Sequence, residues 1–170
     1  MNLITRFDDY ITQAISAVER PGLKKAASIL THLGDATLHI PLFTLFYIYG
    51  AERTREFVIN SVTASLLGVA LLYAIRLTVK RRRPIGDMPK EYALMPVLEN
   101  YSFPSGHAMR NFIFPVTVFP YLGFYASISL AFFAAFITST RVYLRLHYFS
   151  DIAAGALLGI FSAVLILKFF

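Results

Sequence analysis

Five apolar runs of near-membrane length, at roughly 35–50, 56–79, 105–121, 123–140 and 148–168, constrain this 170-residue chain more than any other feature. About 20 apolar residues in a helix cross a ~30 Å hydrocarbon layer, and inside that layer only helices and closed barrels satisfy their own backbone. With 56% hydrophobic residues and a mean hydropathy of +0.59, the chain is too apolar for an ordinary soluble domain and too short for two. The expectation is a single all-α domain: a polytopic membrane helix bundle of five to six transmembrane helices, with an interfacial amphipathic helix over 1–22 and a transmembrane core over 35–168. The first run is the weakest, because Pro41 interrupts it and it needs residues from about 28 onward to reach full length. A sixth span would come from the N-terminal region.

Ile4, Phe7, Ile11, Ala14, Ile15 and Val18 recur at three- and four-residue spacing, with Asp8, Asp9 and Glu19 elsewhere around the wheel. This predicts an amphipathic helix that either lies on the membrane or packs on a protein neighbour, ended by Pro21-Gly22. Residues 1–20 have no long apolar core and no small-residue cleavage site, which argues against a removable signal peptide. Lys24 and Lys25 follow at headgroup level. Pro115 and Pro120 predict a bend in the third run. Gly155 and Gly159 permit close helix approach, read as packing within the chain in preference to dimerisation; the oligomeric state is not written in the sequence.

The absence of Cys removes disulfide frameworks and thiolate chemistry. The net charge of +6 gathers beside the polar segments, so it suits an anionic substrate or anionic headgroups, and no nucleic-acid motif accompanies it. Three polar islands lie at the ends of apolar runs: Arg83-Pro84, Pro104-Ser105-Gly106-His107, and Arg141 followed by His147 and Asp151. The basic, proline-rich segment 80–104 does not fit the hydrocarbon layer, and counting spans puts it on the same face as the loop before the last run. All three islands then converge at one boundary.

There the residues allow phosphoryl transfer. His147 and Asp151, four apart, share a helix face, so the carboxylate can hold the imidazole in one tautomer. Arg141 offers a planar fork for phosphate oxygens. Ser105-Gly106-His107 begins a helix whose free N–H groups suit an anion, and Gly106 lets it approach. One histidine can attack phosphorus while the other protonates the departing oxygen.

At these residues the chain resembles the type 2 phosphatidic acid phosphatase superfamily, whose signature is Lys-x6-Arg-Pro, Pro-Ser-Gly-His and Ser-Arg-x5-His-x3-Asp. Here the elements read Arg76-x6-Arg83-Pro84, Pro104 to His107, and Thr140-Arg141-x5-His147-x3-Asp151. Arg76 stands where the family usually has Lys, and a fork is not a point charge; Lys80 is a candidate for supplying the ammonium. The resemblance implies that His147 forms a phosphohistidine, Asp151 orients it, and His107 is the general acid. It also implies that Arg76, Arg83, Ser105, Gly106 and Arg141 hold the phosphate, with no metal or other cofactor. Vanadium haloperoxidases share that cradle but are soluble, and the spans argue against that branch.

Arg110 lies outside the signature, three residues after His107 and about one turn into the third run. It either pairs with Asp151 or with carbonyls, or it contacts the substrate near the leaving oxygen or positions His107. The resemblance implies a membrane lipid phosphate as substrate, with lipid A 1-phosphate first, then undecaprenyl diphosphate, phosphatidylglycerol phosphate and phosphatidic acid. It implies a bacterial inner membrane with the active site on the periplasmic side, although the positive-inside count favours the cytoplasm. In the five-span arrangement a cytoplasmic C terminus means a periplasmic site. Two rivals are a non-catalytic phospholipid-binding or transport protein and a metallohydrolase using the two histidines and Asp151.

Overall fold

The computed structural model describes residues 3–18, 20–86 and 100–169, and over them the chain is helical. The order is α1 (Leu3–Ser16), α2 (Pro21–Thr31), a 3-10 turn (His32–Gly34), α3 (Ala36–Tyr49), α4 (Glu52–Val79), α5 (Gly106–Tyr143) and α6 (Phe149–Phe169). Helices α4, α5 and α6 are long and apolar enough to cross a membrane, which makes this a helical membrane bundle. Part of the basic segment, residues 87–99, lies outside the described residues.

The N-terminal third departs from expectation in three ways. Helix α1 stops at Ser16, and Pro21 opens α2 instead of closing α1, in a position where its missing N–H costs nothing. The side of α1 turned to the protein is also the polar one: Asp8 and Thr12 are buried while Phe7 and Tyr10 are exposed. The apolar side of α1 is thus turned away from the rest of the protein. Third, the first apolar run does not extend back to residue 28 as one helix. Helix α3 has 14 residues, about 21 Å of helix, and is separated from α2 by the 3-10 turn and by Asp35 in an extended conformation (φ −83°, ψ 148°). That break sets Gly34 and Asp35 between the two helices.

Helix α5, at 38 residues, would run about 57 Å if straight, nearly twice the hydrocarbon thickness. It breaks at Gly123 (φ 75°, ψ −169°), a conformation open to glycine and strained for other residues. The two halves fold back on each other, since Ala108 of the first and Val142 of the second form one buried cluster with Ile152 of α6. The third and fourth apolar runs are these two halves. Pro115 and Pro120 both sit inside the first half, and the break comes just after them.

Helices in lipid gain little from burying apolar surface against one another, so small residues and close packing hold them together. Ala64 of α4, Ile113 of α5 and Ala163 and Ile166 of α6 make a central cluster. A buried hydroxyl pair, Ser61 with Thr117 at 2.8 Å, ties α4 to α5. Gly155 and Gly159 settle their own role: a Cβ on the first would run into the Ser105 carbonyl, and on the second into the Met109 carbonyl. Two glycines four apart on α6 thus seat against two carbonyls four apart on α5. This contact is internal, and it fixes the start of α5 against the second and third turns of α6.

Candidate active site

That contact brings the second and third polar islands together. The Ser105 N–H donates to the Asp151 carbonyl at 3.0 Å, and Ser105 caps α5 by accepting from the Ala108 N–H at 3.3 Å. Helix geometry leaves the Gly106 and His107 N–H groups at the same end without intrahelical acceptors. The first island is threaded in beside them. Helix α4 ends at Lys80 in a left-handed conformation (φ 48°), after which the Ser102 N–H donates to the Arg81 carbonyl at 2.8 Å and the Ile85 N–H to the Arg145 carbonyl at 3.0 Å.

Arg76, Arg83 and Arg141 are all buried, as are Ser105, Gly106, His107, His147 and Asp151. Arg76 donates to the Pro104 carbonyl from Nε (3.3 Å) and Nη2 (3.1 Å), so it grips the residue before the cap. Arg141 Nη1 donates to Thr31 Oγ1 at 3.3 Å. Arg83 Nη1 donates to the Leu146 carbonyl (2.7 Å) and meets His147 Nε2 (2.9 Å), while Nη2 donates to the Tyr101 carbonyl (3.2 Å). Lys80, by contrast, is exposed at the helix end, away from these buried groups.

The tautomer of His147 follows from its neighbours. Arg83 can only donate, so His147 Nε2 presents its lone pair; the Ser102 carbonyl can only accept, so Nδ1 carries the hydrogen toward it at 2.9 Å. Asp151 Oδ2 is also near Nδ1, but at 3.6 Å. The carbonyl, a partner absent from the sequence reading, is thus the closer orienting group, with the carboxylate behind it. Burial, and then the charges of Arg83, Arg141 and Arg76, hold the His147 imidazole well below its usual pKa of 6.5. It is neutral at physiological pH, with Nε2 aimed at the arginines.

Two acid–base partners were not visible in the sequence. Asp151 Oδ1 is paired with Arg81 Nη1 at 2.8 Å, and Arg81 Nη2 is paired with the buried Asp8 of α1 at 2.7 Å. Arg81 also donates to Ser150 Oγ at 2.7 Å and stacks 4.0 Å over the Tyr148 ring. A charged bridge therefore runs from α1 to the carboxylate behind His147. Asp151 is held by Arg81, a pairing that the sequence reading did not weigh.

The other partner is Asp35. It occupies the cap position of α3, yet its side chain makes no capping bond. Its Oδ1 lies 3.3 Å from His107 Nδ1 and its Oδ2 2.7 Å from His32 Nδ1. Burial works to raise the Asp35 carboxyl, but bonding to His107 and His32 and the charge of Arg141 outweigh it and hold it down at about 2. Gly34 packs against the His107 ring and Asn111 so closely that no side chain fits there. Asn111 Nδ2 donates to both the Gly34 and His107 carbonyls, at 3.1 and 2.8 Å, locking the turn to α5. A Gly-Asp pair just before an apolar run is a readable helix-start signal; that its carboxylate turns to a histidine 72 residues away is not.

Arg110 is half-buried near Gly106 and Arg76, and lines an apolar cavity of about 660 Å³ between α3, α4 and α5. Among the described residues, no group of three or more His, Asp or Glu side chains is placed to hold a metal ion.

The sequence profile of the PAP2 superfamily matches residues 57–170. Among curated proteins, the undecaprenyl-diphosphatase of Sulfolobus acidocaldarius is 29% identical over 130 residues, spanning 76% of this chain and 62% of that one, less than two thirds of its length. Phosphatidylglycerophosphatase B of Bacillus subtilis is 26% identical over 99% of this chain and 85% of its own. Among solved structures, Aquifex aeolicus LpxE superposes with a TM-score of 0.76 at 22% identity, over 94% of each chain. The PAP2-type phosphatidylglycerolphosphate phosphatase of Bacillus subtilis gives the same score at 23% identity, over 99% of this chain and 87% of that one. At these identities the two structures speak for the fold.

Proposed function

The chain belongs to the PAP2 superfamily of lipid phosphatases, and from that premise we propose that it hydrolyses a membrane lipid phosphate through a phosphohistidine at His147. The observation that carries this reading is the fixed tautomer of His147, whose Nε2 lone pair lies 2.9 Å from Arg83 Nη1. A phosphate entering between them takes the Arg83 N–H onto its own oxygen and exposes Nε2 to phosphorus. Nε2 forms the P–N bond as the bond to the lipid oxygen breaks, and that oxygen takes a proton from His107. Water then attacks the phosphohistidine, His107 accepts its proton, and phosphate leaves. Arg76, Arg83, Arg141 and the N–H groups of Gly106 and His107 would spread the charge that builds on the phosphoryl oxygens.

His107 has to begin the reaction protonated, and Asp35, ionised at any pH well above 2, is the carboxylate that lies 3.3 Å from its Nδ1. Asp35→Asn is expected to lower kcat/KM about 10- to 100-fold. The loss should be several-fold smaller on a phosphate ester whose leaving group needs no proton, such as p-nitrophenyl phosphate; an equal loss on both substrates would speak instead for a structural role.

The substrates carried forward are lipid A 1-phosphate, undecaprenyl diphosphate, phosphatidylglycerol phosphate and phosphatidic acid. We place the site on the periplasmic side of a bacterial inner membrane. Phosphate release from these four lipids, by purified protein in detergent with EDTA present, tests the reading. Release from at least one is expected; release from none, or release abolished by EDTA, would overturn it.

A further inference from the structure

Two helices begin side by side at the site. Asp35 at the start of α3 faces His107 at the start of α5, and this pair forms a first rung at the boundary. One turn deeper, about 5 Å on each helix, the corresponding positions are His39 and Arg110. Both line the 660 Å³ cavity, whose remaining wall is almost wholly apolar, with residues such as Ile40, Phe43, Val62 and Leu66. The His39 ring is set edge-on against Phe114 at 4.7 Å, and its buried Nδ1 has no hydrogen-bond partner among the described residues. A guanidinium and an open imidazole nitrogen at this depth are costly in lipid and mark a functional position.

The position is informative because of which side of the reaction it serves. In a lipid phosphatase the lipid is the leaving group, so its tail must depart from the side of the general acid. The cavity lining starts next in sequence to the Asp35–His107 pair, at Ala36, His39 and Arg110, where the tail of a lipid leaving from His107 would begin. For a monoester the group leaving there is a neutral hydroxyl, which needs no cation. For a diphosphate it is a lipid monophosphate, which carries its negative charge to that spot.

We propose that Arg110 and His39 form a leaving-group subsite for a second phosphate, so that the preferred substrate is a lipid diphosphate with its tail in the α3–α4–α5 cavity. The proposal rests on the phosphohistidine reading above and moves the preference away from lipid A 1-phosphate. His147 Nε2 bonds to the terminal phosphorus, and the anhydride P–O bond breaks. The bridging oxygen keeps the electron pair, takes the His107 proton, and leaves as lipid monophosphate against Arg110; water then releases inorganic phosphate from His147.

The test uses two substrate pairs in mixed micelles: diacylglycerol diphosphate with phosphatidic acid of the same acyl chains, and a polyprenyl diphosphate with the monophosphate of the same length. Wild type should favour the diphosphate at least about 10-fold in kcat/KM in both pairs, so that the preference follows the headgroup and not the tail. Arg110→Gln should lower diphosphate turnover about 10- to 100-fold, with a several-fold smaller loss on the monophosphate, and Arg110→Lys should recover part of the ratio. A wild-type ratio near one, or equal losses on both members of a pair in Arg110→Gln, would overturn the subsite while leaving the phosphatase reading intact. No phosphate from any of the four lipids would overturn that reading and the subsite with it.

Discussion

His147→Gln is expected to reduce phosphate release by about 10,000-fold or more while leaving the fold intact, the scale of loss when a catalytic nucleophile is removed. Glutamine is chosen because its amide can accept from Arg83 and donate to the Ser102 carbonyl, replacing both bonds of the imidazole without its nucleophilic nitrogen. Wild type quenched during turnover with labelled substrate should carry acid-labile phosphate, and the variant should carry none. The same imidazole makes a pH prediction. Burial and the three arginines hold it well below 6.5, so kcat/KM should show no acid limb near pH 6.5 attributable to His147. Phosphate release above about 1% of wild type in His147→Gln would remove His147 from the nucleophile's role.

Arg81→Ala should be the most damaging change outside the signature residues. Its guanidinium joins two fully buried carboxylates, Asp8 and Asp151, using one nitrogen for each. Removing one member of a buried ion pair costs about 3–5 kcal/mol because the partner's charge stays behind, and here two partners are left. The carboxylates must then protonate or separate, and Asp151 is the acid behind His147. We expect a large drop in melting temperature in detergent and about 100-fold lower kcat. Asp8→Asn added to Arg81→Ala should recover part of the stability and little of the rate, since it removes the orphaned charge on α1 but not the one beside His147. Arg81→Lys should restore less than half of either, because an ammonium cannot serve both carboxylates in the same fixed geometry. A wild-type melting curve and rate for Arg81→Ala would show that the bridge is dispensable.

Arg81 also illustrates why some of the site was illegible in the sequence. It stands in the run Lys80-Arg81-Arg82-Arg83, where every member reads equally as a cation at a membrane boundary. Lys80, singled out for its charge, lies exposed, while its neighbour reaches inward. What separates them is the left-handed turn at Lys80 that ends α4, together with an aspartate 73 residues earlier on α1. The wheel of α1 left a related question open: its apolar stripe was clear, but which side met protein depended on a buried Asp8 having Arg81 to pair with.

The sequence by itself determined the apolar runs that force a helical bundle, and the spacing of His107, His147 and Asp151 around their arginines. Those are local properties, set by helix period and by the cost of polar backbone in lipid. Only the tertiary structure decided what stands behind each histidine: the Ser102 carbonyl and Arg81-bound Asp151 behind one, Asp35 behind the other. It also set Arg110 on the wall of the cavity between α3, α4 and α5. Hydrogen bonds and ion pairs reach only a few ångströms, so partners from distant parts of the chain become definite once close helix packing has fixed their positions.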